Sequence, residues 1–175
     1  NRAARSMQER ALPMLSQTDE APFMGNVHRF CSHFLFEKGL ISAATSVVSD
    51  DDLLSILCGF TGEDENAVAA NPRRKSMYME VMFLEHLLFQ IETQQPKALR
   101  LHPDCLNRED IMALRALCKA AQQEFTPATL LDIYAHTDVY SEYTFDAGTQ
   151  VLVGRLLQKM HLAWQYRRYK KENLL

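Results

Sequence analysis

Apolar residues recur along this chain at intervals close to 3.6, the spacing that places them on one side of an α-helix. Strand-like alternation is confined to residues 45–48 and 139–145, too short and too isolated to build a sheet. The pattern predicts an all-α fold, a compact bundle of six to eight helices. A first helix over residues 2–12 carries Ala3, Met7 and Ala11 on one side and ends at Pro13, and 16–22 form a polar loop. A second spans 26–38, with Val27, Phe30, Phe34 and Leu35 as its stripe and Gly39 placed to close it. Ser49 and the aspartates Asp50, Asp51 and Asp52 precede the apolar run 53–57. Carboxylates in a first turn complement the helix dipole, so a helix starts there.

The strongest element opens at Asn71-Pro72, an N-cap followed by a residue suited to the first helical position. From there to Thr93 apolar residues fall on most sides, which predicts a buried central helix, 72–93, with the others packed around it. Residues 94–104 form a connection containing Pro96 and Pro103. Asn107 then caps a helix reaching 124, with Asp110 at the capping-box position. Thr126-Pro127 repeats the cap-then-proline device and starts a short helix through Tyr134. Turns occupy 138–148, and a last helix runs over 149–173 on the stripe Leu152, Val153, Leu156, Met160, Ala163 and Trp164. The expected organisation is a loosely packed arm, 1–25, followed by one helical domain, 26–175.

At 175 residues and 47% hydrophobic, the chain can bury a core without disulfides or metal. No apolar run approaches the ~20 residues a bilayer span needs, and no secretory signal is read in residues 1–10. Cys31, Cys58, Cys105 and Cys118 show no tight spacing, the pattern of reduced thiols in an intracellular, cytoplasmic protein. A start at Asn1 without methionine points to a domain of a larger protein or to a processed product.

Three constellations bear on function. His28 with Cys31 and His102 with Cys105 form two His-x-x-Cys spacings with the ligand types of a tetrahedral zinc site. Structural zinc favours Cys-x2–4-Cys knuckles, so this set is a weak candidate, and no metal or cofactor is expected. The run Arg73-Arg74-Lys75-Ser76 places cations in a first helical turn, where the dipole disfavours them. It fits an arginine-directed kinase site at Ser76, or a contact with phosphate or an acidic partner. The upstream acids Glu63, Asp64 and Glu65 are placed to neutralise it. The last helix carries the sharpest asymmetry: from Arg155 onward six cations face one carboxylate, Glu172, leaving a charge of −8 on residues 1–154. Trp164, Tyr166 and Tyr169 interleave with its cations.

Catalytic patterns are missing from the sequence: there is no Gly-rich phosphate loop, Gly-x-Ser-x-Gly elbow or His-Glu-x-x-His. Asp132 and His136 stand four apart without an evident nucleophile, and the aspartates 50–52 do not alternate as calcium ligands do. The expectation is a non-catalytic interaction domain, a scaffold or adaptor, docking a protein partner through exposed helix faces. Its contacts are expected at Trp164, Tyr166, Arg167, Arg168, Lys170 and Lys171, with an acidic patch over 50–65. The alternative is binding of anionic lipid or phosphate by the same basic end. An isoelectric point near 6.1 argues against a nucleic-acid partner.

Overall fold

The computed structural model describes residues 27–42, 45, 48–94 and 106–173, with side chains from residue 30 on except those of Asp50 and Asp51. Among the described residues there are eight helices and no strand: α1 (Val27–Glu37), α2 (Asp50–Thr61), α3 (Glu65–Ala70), α4 (Pro72–Gln94), α5 (Arg108–Ala120), α6 (Pro127–Ala135), α7 (Thr137–Tyr140) and α8 (Ala147–Asn173). The expected arm helix over 2–12 lies outside the described residues. The chain divides into two units at Ser46/Val47, so α1 belongs to the first and the other seven helices to the second.

Local chemistry sets the ends of these helices. In the first unit, α1 closes through Gly39 in the left-handed region, with Leu40 N–H reaching back to the Leu35 carbonyl at 2.9 Å. In the second, Ser49 and Asp52 form a reciprocal capping box at the start of α2, and Asn107 with Asp110 does the same for α5. Thr126 caps α6 ahead of Pro127. Helix α5 stops at Ala120, short of the expected 124, because Gln122 adopts a left-handed φ of 54°. Gln123 N–H then bonds the Cys118 carbonyl at 2.9 Å, a Schellman closure without glycine. Helix α3, capped by Asp64, was not foreseen, and the segment 139–145 contributes to α7 and turns rather than a strand.

The second unit is a multi-helix bundle around α4. Its Tyr78, Val81, Leu84, Leu87, Leu88 and Ile91 are buried, and it packs against α2, α3, α6 and α8. Burial covers one side: Phe83 and Phe89, which made the sequence look apolar all round, remain 38% exposed. Helix α8 is the second axis and touches α2, α4, α5, α6 and α7. Ion pairs between the two long helices advance along both together, Glu80 with Lys159, Glu85 with Lys170 and Glu92 with Lys171, so α4 and α8 run in the same sense. Polar anchors seat the shorter helices. Tyr134 of α6 donates to the Leu84 carbonyl at 2.8 Å, Thr61 of α2 lies 2.8 Å from the Tyr78 hydroxyl, and Phe60 meets the Tyr169 ring edge-on. No described helix is long and apolar enough to cross a membrane.

Leu84 is fully buried where α4 meets its neighbours, whereas Met112 on α5 is 53% exposed. Urea unfolding of Leu84→Ala should show a loss of about 2–5 kcal/mol, against roughly 0.5 kcal/mol for Met112→Ala. Equal losses would contradict this packing.

Candidate functional site

The basic aromatic end of α8 is largely engaged by the domain itself. Arg167 Nε lies 3.1 Å from Glu92 Oε2, and its Nη1 lies 3.6 Å from Glu85 Oε1. Lys170 Nζ is 2.6 Å from Glu85 Oε2, and Lys171 Nζ is 3.2 Å from Glu92 Oε2. The guanidinium of Arg167 also covers the Phe89 ring, 4.7 Å from its centroid. Tyr166 is buried, its phenol pushed above the usual range by burial and then by Glu85, and Trp164 packs half-buried against the core. Arg168 is exposed and reaches Glu172 at 3.7 Å. Glu85 is itself 4% exposed, and its Oε1 accepts no hydrogen bond despite the nearby Arg167. Of the six residues expected to meet a partner, three thus hold α8 against α4 and two, Trp164 and Tyr166, pack on the core. The acids upstream are also used: Asp52 caps α2, Asp64 caps α3, and Glu63 pairs with Arg74.

The two basic stretches meet elsewhere. The starts of α4 and α5 converge on the first half of α8 and enclose a cleft of about 660 Å³. Arg73, Arg74 and Ser76 line it from α4, Arg155, Gln158 and Lys159 from α8, and Glu109 and Asp110 from α5. Both N-cap asparagines, Asn71 and Asn107, also line it, so two helix N-termini border the space and add partial positive charge. Lys159 is the floor. Its side chain is 5% exposed, and its ammonium lies 2.7 Å from both Asp110 Oδ1 and Glu80 Oε2. Asp110 is used twice, since its Oδ2 accepts the Asn107 N–H at 3.1 Å. These contacts consume the two carboxylates nearest the floor. At the rim, Arg155 meets Glu109 at 3.7 Å with both side chains more than 60% exposed, a pair of little strength. Among the described residues Arg73 has no carboxylate within ion-pairing distance, which leaves the rim net positive.

The sequence singled out Arg73, Arg74 and Ser76 but not their neighbours across the cleft. A signal for Lys159 was present, a lysine one turn from Leu156 and Ala163 inside the apolar stripe of α8. Its partners were beyond reach because they come from two other helices.

The remaining candidates fare differently. His102, Cys105 and the His28 side chain lie outside the described residues, and Cys31 is an exposed thiol. Among the described residues no three or more His, Cys, Asp or Glu gather as metal ligands. Asp132 and His136 do meet, Nδ1 to Oδ1 at 2.9 Å, on an exposed face. The other oxygen of Asp132 accepts the Tyr140 hydroxyl at 2.6 Å, and the Gln123 amide lies 2.9 Å from the same phenol. Asp132 joins α6 to His136 and Tyr140, and Gln123, from the turn before α6, holds Tyr140 as well, an arrangement that pins α7.

No family model, curated protein or solved structure matches the chain. The cleft therefore has to be interpreted from its own chemistry.

Burial, followed by the hydrogen bond and charge of Asp132, pushes the Tyr140 phenol up from 10 to about 12. A pKa raised on folding gives stability that is complete below the unfolded value and lost as pH rises toward the folded one. Stability should therefore fall between about pH 10 and pH 12, and Tyr140→Phe should remove that part of the fall. Urea midpoints across this range check it; an identical slope in both proteins would refute the assignment.

Proposed function

We propose that this is a non-catalytic protein-interaction domain, of the scaffold or adaptor kind, that docks an acidic segment of a partner protein in the cleft between α4, α5 and α8. One observation carries the reading. Two basic stretches far apart in sequence, Arg73-Arg74 and Arg155–Lys159, line one cleft that two helix N-termini also border. Lys159 pairs with both Glu80 and Asp110 at the floor and offsets one of their two charges, so the attraction for an acidic group comes from the rim arginines. Arginine suits this role because its planar fork pairs with carboxylates in two-point geometry. Charge of this kind steers association and sets partner choice more than it adds affinity, as expected of an adaptor.

Anionic lipid binding by the end of α8 is the poorer reading, since Arg167, Lys170 and Lys171 already face Glu85 and Glu92. It also cannot be probed by reversing Arg167 or Lys170, because either change sets another carboxylate against buried Glu85 and threatens the fold.

Fluorescence anisotropy with a labelled glutamate-rich peptide and a lysine-rich counterpart tests the proposal. The acidic peptide should bind preferentially, more tightly at low salt. Arg73→Glu/Arg155→Glu should weaken it by about tenfold or more. Equal binding of both peptides, unchanged binding to the variant, or binding only to phosphatidylserine vesicles would overturn it.

A further inference from the structure

We propose that Ser76 is a phosphorylation site for an arginine-directed protein kinase, and that the phosphate seats in the cleft against Arg73 and Arg155. The inference goes beyond partner docking and stands whether or not an acidic segment binds there. Ser76 follows Arg73, Arg74 and Lys75 directly, the basic approach such a kinase reads. It is exposed, and it lines the cleft together with both arginines.

A serine inside a helix must be presented in extended form, so the cost of unwinding decides whether a kinase can reach it. Pro72 to Ser76 are all exposed, and the first buried residue of α4 is Tyr78. Unwinding the helix as far as Ser76 therefore uncovers no buried side chain of α4. It releases two long cap bonds, from Arg73 N–H and Arg74 N–H to Asn71 Oδ1 at 3.2 and 3.3 Å, the Lys75 N–H bond to the Asn71 carbonyl at 2.9 Å with the helical bonds of that turn, and the Arg74–Glu63 pair. Helix starts open locally far more readily than helix middles.

In the transfer, Ser76 Oγ attacks the γ-phosphorus of a nucleoside triphosphate held by the kinase. The bond from that phosphorus to the bridging oxygen breaks, the nucleoside diphosphate leaves with the electron pair, and the hydroxyl proton passes to the base of the kinase. When α4 rewinds, the new group brings about −1.5 to −2 charges and three acceptor oxygens near a helix N-terminus, where negative charge is favoured. Arg73 lies three residues back, on the same face. Arg155 comes from α8, and its loose, exposed pairing with Glu109 leaves its guanidinium available to turn toward the phosphate. The carboxylates that oppose the phosphate are Glu80 and Asp110, which share Lys159, and Glu109 beside Arg155; Arg73, Arg74 and Arg155 stand against them at the rim.

The test treats the intact folded chain with a purified arginine-directed kinase and ATP, and maps the product by fragment mass spectrometry. One phosphate at Ser76, absent in Ser76→Ala, is expected. Phosphorus NMR then follows the titration of that phosphate beside a phosphopeptide covering residues 68–84. Seated against arginines, its second pKa should fall below that of the peptide by about half a unit or more, and Arg155→Gln, which leaves the kinase motif intact, should recover most of the difference. A peptide that is phosphorylated while the folded chain is not would remove Ser76 as a site. A phosphate that titrates as in the peptide, or is unaffected by Arg155→Gln, would remove the seat.

Discussion

The ammonium of Lys159 sits almost out of solvent between carboxylates from two other helices, 2.7 Å from each. A charge in that position is tolerated only because it is paired, and removing either side of such a pair leaves an ion stranded in a medium that solvates it poorly. The consequences spread outward. Asp110 binds Lys159 with one oxygen and the start of α5 with the other, so the cap of one helix is fixed to the middle of another. Glu80 ties α4 into the same point. The floor of the cleft and the relative placement of α4, α5 and α8 thus depend on one lysine.

A second polar seam runs further along α4 and α8, where Glu85 and Glu92 meet Arg167, Lys170 and Lys171. Part of the positive balance of the last helix is the counterpart of the acidic residues on α4. Charge counted along a sequence says nothing about which carboxylates a fold will bring opposite. Arg73 and Arg155 at the cleft rim have capacity to spare, as does Arg168 of the last helix, whose pair with Glu172 is as long and as exposed as that of Arg155.

Features written in adjacent residues were legible. Ser49 with Asp52, Asn107 with Asp110 and Thr126 before Pro127 are local devices, each acting within one turn, and each capped the helix it announced. The helical class and the placing of α4 at the centre followed from periodicity and apolar content. What failed was short or non-local. Helix α3 has six residues and one buried side chain, Val68, too few to show a period. The stop of α5 depends on a left-handed glutamine that no propensity announces. The candidate site was half visible: Arg73, Arg74 and Ser76 were evident as a run, while Arg155, Lys159 and Asp110 joined them only through the packing of three helices.

The most direct test is a double-mutant cycle on Lys159 and Asp110, read by urea unfolding of the wild type, Lys159→Met, Asp110→Asn and the pair together. Each single change should cost about 3–5 kcal/mol, and the double change should cost less than their sum by about 1–3 kcal/mol. Losses that simply add would mean that the lysine and the aspartate do not sense each other, and the organisation of the three helices around Lys159 would be wrong.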